Sequence, residues 1–578
     1  MNRQERRRRE REQKRAATAL TPGQLLDLGV MHQRAGRSAE AEAVYRELLK
    51  RIPGEVNACH LMGVIALERQ DKSTAIEWFS RALRGKSDHA EAAILRGYCR
   101  LDAGQYGVAA ADFARALAVR PDDVAAHNDM GGNHLAAGDA DAALPHFAAA
   151  VAFRPDTLRY WRNLLLTYNL VPGDGMQQVA AATRWSALYA APLKPSAPRH
   201  ANQPDPERRL RVGYVGGTLF GFHTQSTMFL ALLEGHDRAE VDLFCYSDLP
   251  EAQEDPITAG YRACSTWRRT GQLDDEALAR AIRADGIDVL VDTVGFVEGS
   301  RLCALARRPA PVQTMLPPMM SLGTDVVDCL IADDQVLPPE MERQFSEPIE
   351  RVPLIYRWRP LIEAPPARAE PRFGPIVFGS TNNLSKVGSH ALRLWAGVLA
   401  AVPGSRLLIK GRALGDASSR AALIARAKQA GIPTERLDLR GWTPDLTEHL
   451  TIYHEIDVAL DSVPYGGVTT TGDAMWMGVP VVTLEGNRVL GRYGAAMLRA
   501  AGLTEGIAVS EADYVAKAAA IAEDADLRAG LRTTLRERLA ASRLCDAVGG
   551  ARDLEQAYRR LWRRWCDRQG AQATASSG

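Results

Sequence analysis

Two patterns of apolar and polar positions divide the chain. Up to about Pro192 the apolar residues fall at amphipathic-helix spacing in Ala- and Leu-rich segments, RYWRNLLLTYNLV and QQVAAATRWSALYAAP among them. From Arg209 onward they gather into short β-branched runs: LRVGYV, VDLFCYS, IDVLVDTVG, IVFGS, SRLLIKG, RLDLRG, IDVALDS and VPVVTLEG, separated by helical stretches. Buried strands alternating with helices predict doubly wound parallel sheets. A Pro-rich break from Pro360 to Pro375 splits this second region into two similar halves. Two Rossmann-like domains facing a cleft are therefore expected, with ligands at the carboxyl ends of the strands. The stretch from Pro195 to Pro206 has linker composition.

The helical region is periodic. Gly29, Gly63, Gly97 and Gly131 lie 34 positions apart, and the same interval relates Ala41, Ala75, Ala109 and Ala143. It also relates Tyr45, Phe79, Phe113 and Phe147, and then Pro53, Ser87, Pro121 and Pro155. A 34-residue unit with a small residue in one helix, Ala and an aromatic in the next and Pro at the closing turn is the tetratricopeptide signature, in which helix pairs stack because none buries its apolar face alone. Four repeats are expected over 21–155. Such a solenoid offers a concave groove to an extended protein segment, or else serves as a spacer or a homodimerisation arm. His32, His60, His127, His134 and His146 fall in these helices without metal-ligand spacing and read as ordinary packed or surface histidines.

Length and charge refine the picture. The 578 residues exceed one core, since a domain takes roughly 100–200 residues. The expected divisions are a basic disordered arm 1–20, repeats 21–155, a helical connector and linker 156–207, an amino-terminal Rossmann-like domain 208–365, its carboxyl-terminal nucleotide-binding counterpart with a terminal helix, 366–567, and a tail 568–578. Within the last two, a helix over Ala551–Trp565 is expected to pack back on the two Rossmann-like domains, and the tail to be frayed. Lys+Arg 71 against Asp+Glu 70 gives a net charge of +1, which argues against a broad basic surface for nucleic acid or membrane. The arginine run Arg6 to Arg9 reads as a solvated tail. Eight scattered cysteines without a C-x-x-C pair fit a reducing compartment, the cytoplasm, and argue against disulfide or zinc scaffolds. No run approaches the ~18 apolar residues of a membrane span.

Anion recognition must then be local. Neither a G-x-G-x-x-G fingerprint nor a Walker A loop is present. Thr469-Thr470-Thr471, after Tyr465-Gly466-Gly467 and before the helical GDAMWMG, is one candidate: glycines permit close backbone approach, and hydroxyls with free N–H groups at a helix start bind anions. Simple N-capping by threonine is the alternative. The second candidate is Gly379 to Lys386, which leaves the strand IVFGS. There Lys386 is placed to offset the charge of a departing diphosphate, or is a solvated surface lysine.

Several ordered segments go further: Arg211-Val212-Gly213-Tyr214-Val215 with His223 after it, Arg308-Pro309-Ala310-Pro311-Val312-Gln313, Asn382 to Lys386, Gly441-Trp442-Thr443-Pro444, and Thr469 to Pro480. In these the chain, from about Thr21 to Cys566, resembles the protein O-GlcNAc transferase and SPINDLY family, glycosyltransferase family 41, which joins tetratricopeptide repeats to a GT-B catalytic region. The resemblance implies an inverting, metal-independent transfer of a sugar from a nucleotide donor to Ser or Thr of a protein, with no cofactor. N-acetylglucosamine from UDP is the default; fucose from GDP, a nonulosonate on flagellin, or a non-catalytic repeat scaffold with a vestigial nucleotide site are the alternatives. It further implies that Lys386 binds the diphosphate with Asn383 as a neighbouring contact, that Thr469, Thr470 and Thr471 form the phosphate-binding helix start, that Asp473 holds the ribose hydroxyls and that His449 stacks on the base. His223 looks like the active-site histidine, as general base or as a substrate contact. The D-x-D triplets Asp139-Ala140-Asp141 and Asp524-Ala525-Asp526 lie in helical stretches, away from strand ends where a metal-bound nucleotide would sit. Three departures stand out. The chain reads Met315-Leu316-Pro317-Pro318-Met319-Met320-Ser321-Leu322-Gly323 where many members carry W-L-G-Y-P-G-T-T-G, Phe296 replaces a common His, and the repeats lack the asparagine ladder of the animal enzymes.

Overall fold

The computed structural model describes residues 20–222, 225–360, 362–368, 370 and 372–577, with side chains to 571. They form two compact units, one built on the repeat helices and one holding both sheets. The repeats are four helix pairs, from Pro22–Arg34 with Ser38–Arg51 to Val124–Ala136 with Ala140–Phe153. Their periodicity has a steric cause. A Cβ placed on Gly63 would sit 2.5 Å from the ring of Phe79, and at Gly97 and Gly131 the same atom would meet Phe113 and Phe147 at 2.7 and 2.8 Å. Each glycine is the socket for the aromatic of its own repeat, and Tyr45, Phe79 and Phe113 are wholly buried.

Gly63→Ala therefore pits two effects against each other. Alanine gains about 1 kcal/mol of helix propensity, while overpacking an interior costs about 1–3 kcal/mol. With a rigid ring in the way the second is expected to win, so the repeat unit should melt earlier, and Phe79→Leu should recover part of the loss in a double-mutant cycle read by calorimetry. An unchanged or raised melting temperature for Gly63→Ala would remove the socket argument.

The second unit contains two all-parallel sheets. Strands β1 (Leu210–Gly217), β2 (Val241–Ser247), β3 (Thr266–Arg269), β4 (Val289–Asp292), β5 (Val312–Met315), β6 (Cys329–Ala332) and β7 (Ile349–Arg351) form the first, in the order β3-β2-β1-β4-β5-β6-β7. Strands β8 (Val377–Ser380), β9 (Arg406–Lys410), β10 (Leu437–Arg440), β11 (Val458–Leu460), β12 (Val481–Leu484) and β13 (Ile507–Ala508) form the second, in the order β10-β9-β8-β11-β12-β13. This is the paired Rossmann-like architecture expected from the alternation of strands and helices. Strand order reverses between β1 and β4 and again between β8 and β11, and such switch points open the crevice in which ligands of these folds bind.

The terminal helix differs from its expected extent. It runs over Ala547–Ser577 rather than Ala551–Trp565 and continues through the segment expected to be a frayed tail. Its anchors lie in the first sheet's domain: Tyr558 shares a hydrogen bond of 2.9 Å with the hydroxyl of Tyr214 on β1, Glu555 bonds His236 at 2.8 Å, and the Trp562 indole N–H donates to the Asp205 carbonyl. No helix among the described residues is long and apolar enough to cross a membrane.

Candidate functional site

The carboxyl ends of the neighbouring strands β8 and β11 carry both sequence candidates. Beyond β8 come Thr381, Asn382, Asn383 and a tight turn at Leu384–Lys386; beyond β11 comes Asp461, then the glycine loop that enters the helix Thr469–Trp476. A buried carboxylate ties the two together. Asp461 accepts from the N–H groups of Ser462 (2.9 Å) and Gly467, from the Thr483 hydroxyl (2.8 Å) and from the Asn382 amide (3.2 Å). The carbonyl of Asn382 in turn accepts from the Thr470 hydroxyl at 2.8 Å. Burial pushes the Asp461 carboxyl above its ordinary range, against the pull of Thr483, Gly467, Lys386 and Asn382.

Gly467 is obligatory in this arrangement. A Cβ there would collide with the hydroxyl of Thr471 and lie 2.7 Å from that of Thr470 and 3.0 Å from the Asp461 carboxylate. The N-cap position of the helix after it is Val468, whose side chain caps nothing, so the threonines are not N-caps; they occupy the first turn itself. Thr469 makes no side-chain hydrogen bond among the described residues and Thr471 is buried. An uncapped helix start carrying a free hydroxyl is an anion site by its dipole and its donors.

Lys386 reaches this point from the β8 side. Its ammonium donates to the Gly466 carbonyl at 2.9 Å and lies 3.7 Å from the centre of the Tyr465 ring. Burial lowers its pKa to about 8, only partly resisted by Asp461. A half-desolvated ammonium beside a helix start is short of a negative partner. Asn383, by contrast, is exposed and spends its carbonyl on the N–H and hydroxyl of Ser385, both at 3.1 Å, so it shapes the turn that presents Lys386.

His449 stands at the end of the adjacent strand. Lys410, the last residue of β9, donates to its Nδ1 at 2.8 Å and to the Thr443 hydroxyl at 2.6 Å. Because an ammonium only donates, Nδ1 is the acceptor and the imidazole proton sits on Nε2. Burial, then Lys410, lowers the His449 pKa to about 4, so the ring is neutral at physiological pH. Asp473, one turn into the threonine helix, has its carboxyl raised to about 7 by burial and finds no hydrogen-bond partner among the described residues. Tyr453 braces the same helix, sharing a bond with Thr381 at 2.7 Å and donating to the Thr470 carbonyl at 3.1 Å.

His223 lies outside the described residues. Phe296 is buried, its ring edge-on to Trp185 at 4.8 Å, which makes it a packing residue. In the divergent 315–323 stretch the Pro318 carbonyl accepts from the Tyr493 hydroxyl at 3.0 Å, so this segment bridges the two Rossmann-like halves. Both D-x-D triplets begin with helix N-caps: Asp139 accepts from Ala142 N–H and Asp524 from Leu527 N–H.

The glycosyl transferase family 41 pattern matches residues 179–356 and 371–554, and tetratricopeptide repeat patterns match 26–90 and 100–165. A Petunia hybrida protein described as a probable UDP-N-acetylglucosamine–peptide N-acetylglucosaminyltransferase SPINDLY is 34% identical over 63% of this chain and 40% of its own length. The Solanum lycopersicum protein of the same description is 32% identical over 70% of this chain and 44% of its own. The chain thus spans less than half the length of these curated relatives. Among solved structures, a lysine-to-methionine mutant of the Thermobaculum terrenum O-GlcNAc transferase superposes with a TM-score of 0.78 at 34% identity, covering 89% of this chain and 98% of that one.

Proposed function

The chain belongs to glycosyl transferase family 41, and on that premise we propose that it is an inverting protein O-glycosyltransferase that needs no metal and no resident cofactor, with UDP-N-acetylglucosamine as the default donor. The observation that carries the reading is the placing of Lys386 beside the uncapped threonine helix at the β8/β11 switch point. A serine or threonine hydroxyl of the acceptor attacks the anomeric carbon, the bond from that carbon to the diphosphate oxygen breaks, and the nucleoside diphosphate leaves with the electron pair. Lys386, the Thr469 hydroxyl, the Thr470 hydroxyl once it turns from Asn382, and the first-turn N–H groups meet the charge that develops, each well-placed donor contributing about 3–4 kcal/mol. The neutral ring of His449 offers a flat face to the base, and the unpartnered carboxyl of Asp473 offers acceptors to the ribose diol. The acceptor protein is assigned to the repeats, in the cytoplasm, and the proton of its hydroxyl to His223 as general base, or to solvent where His223 is a substrate contact instead.

A panel of nucleotide sugars at one common concentration tests this directly, because protection grows with the ratio of concentration to Kd and reaches about 2.7 kcal/mol at 100 times Kd. UDP-N-acetylglucosamine is expected to protect most and to be transferred equally well in EDTA. Protection by GDP-fucose instead would replace the donor; protection by none would sink the reading, and loss of transfer in EDTA would remove the metal-free mechanism.

A further inference from the structure

At the amino-terminal end of the first sheet's central strands, where β1 begins and the chain approaches β4, a surface cavity is lined by Arg199, His200, Asn202, Arg208, Arg211 and Arg283, among others. Its floor is rigid: the Asn202 amide donates to the carbonyls of Gly286 and Ile287 and to the Asp288 carboxylate. The nearby carboxylates are all engaged. Asp288 is taken by Arg208, Asp285 by Arg268 and the Tyr246 hydroxyl, and Asp328 by both Nη2 contacts of Arg308 at 2.8 and 2.9 Å.

Three guanidinium groups remain without a carboxylate among the described residues. Arg211 donates only to the Asp285 carbonyl, Arg283 only to the Arg307 carbonyl, and Arg199 makes no side-chain bond. The terminal helix shows the opposite arrangement. On the terminal helix Arg559 pairs with Glu240, Arg563 with Glu207, and Arg560 and Arg564 with Glu350. In a molecule of net charge +1, three arginines without a carboxylate lining one cavity over an anchored floor call for an anion. One fork satisfies a carboxylate, whereas three forks match the several oxygens and double charge of a phosphate.

We propose that this cavity is a second anion site, separate from the donor cleft, that takes a phosphate group, free or as a monoester, between Arg199, Arg211 and Arg283. It lies at the amino end of β1, whereas the donor cleft uses the carboxyl ends of the strands. His200, in the same cavity, is an internal reporter. Burial, then Arg308 and Arg283, lowers its pKa to about 4, with Asp328 opposing, and an anion among the arginines would raise it.

Orthophosphate, pyrophosphate and glycerol phosphate are titrated calorimetrically into the full chain, Lys386→Ala and the double variant Arg199→Ala/Arg283→Ala, whose altered side chains are exposed. One equivalent of phosphate is expected to survive Lys386→Ala and to weaken at least tenfold in the arginine variant, with the His200 ring titrating at higher pH when phosphate is present. Tighter binding of glycerol phosphate than of orthophosphate would identify an ester as the ligand, and the reverse a free phosphate. Phosphate binding that disappears in Lys386→Ala, or that the arginine variant retains undiminished, overturns the proposal. Because the surviving equivalent is scored with Lys386 already removed, the result does not depend on the donor-site reading.

Discussion

Lys386→Met is expected to lower turnover of the sugar donor by about 10²–10³-fold, the usual loss when one preorganised stabiliser of a developing anion is removed. The physical reason is that the wild-type ammonium is already stripped of part of its water before substrate arrives, which is why burial lowers its pKa to about 8. Its positive charge is costly in the free protein and is relieved by the diphosphate, most fully as the leaving group's charge grows. The pH dependence follows with a definite sign. kcat/KM reports the free enzyme, so it should fall as pH rises through about 8 and the ammonium is lost. In kcat the same limb should lie at higher pH, since the bound diphosphate holds the proton on. Stability moves the other way. Between about pH 8 and the ordinary lysine range the unfolded chain binds more protons at this residue than the folded one, so this group's contribution to stability rises with pH. Activity that declines while the contribution of Lys386 to the melting temperature rises separates deprotonation from alkaline unfolding. A kcat/KM that is flat to pH 10, or a Lys386→Met enzyme within threefold of wild type, would remove Lys386 from the leaving-group role.

How much of this was legible in the amino-acid order depended on whether the cause was local. The 34-residue interval could be read because each glycine and its aromatic partner lie 16 positions apart in one repeat, as Gly63 and Phe79 do, so the steric socket is written within a single helix pair. Strands such as IDVALDS were readable as buried β-branched runs. The edge strand β3, TWRR, was not, because half its residues are exposed and charged. Nor were β5 to β7, of three or four residues each, in a segment crowded with prolines. The sequence pointed to a loop and a helix start as the anion candidates, and the structure brings the two together, yet no sequence signal marked the residues that join them. Asn382, Asp461 and Tyr453 join segments 70 to 90 positions apart, and nothing local marks a carboxylate as buried and shared. Lys410 closes an ordinary strand, and only the neighbouring His449 gives it meaning. Resemblance pointed to Asn383, but its side chain supports the turn while its neighbour Asn382 faces the threonines.

Asp461 carries the other large expected effect. Asp461→Ala would leave the N–H groups of Ser462 and Gly467, the Thr483 hydroxyl and the Asn382 amide without their acceptor, in a site that is 2% exposed. Buried donors stranded in this way cost about 1–3 kcal/mol each, and removing one member of a buried charged pair about 3–5 kcal/mol in all once the site relaxes. A loss of about 3–5 kcal/mol is therefore expected in urea unfolding of the unit that holds both sheets, together with loss of donor binding, since Gly467 and Asn382 set the positions of Thr470 and Thr471. Asp461→Asn separates the two consequences. Its amide keeps one acceptor oxygen, so part of the stability should return, but the negative charge that helps keep Lys386 protonated is gone. With only burial acting on it, that ammonium should deprotonate at lower pH, moving the alkaline limb of kcat/KM below the wild-type value of about 8. If Asp461→Asn left that limb in place, Asp461 would be a scaffold for the loop and nothing more; if Asp461→Ala unfolded within 1 kcal/mol of wild type, even that role would fail.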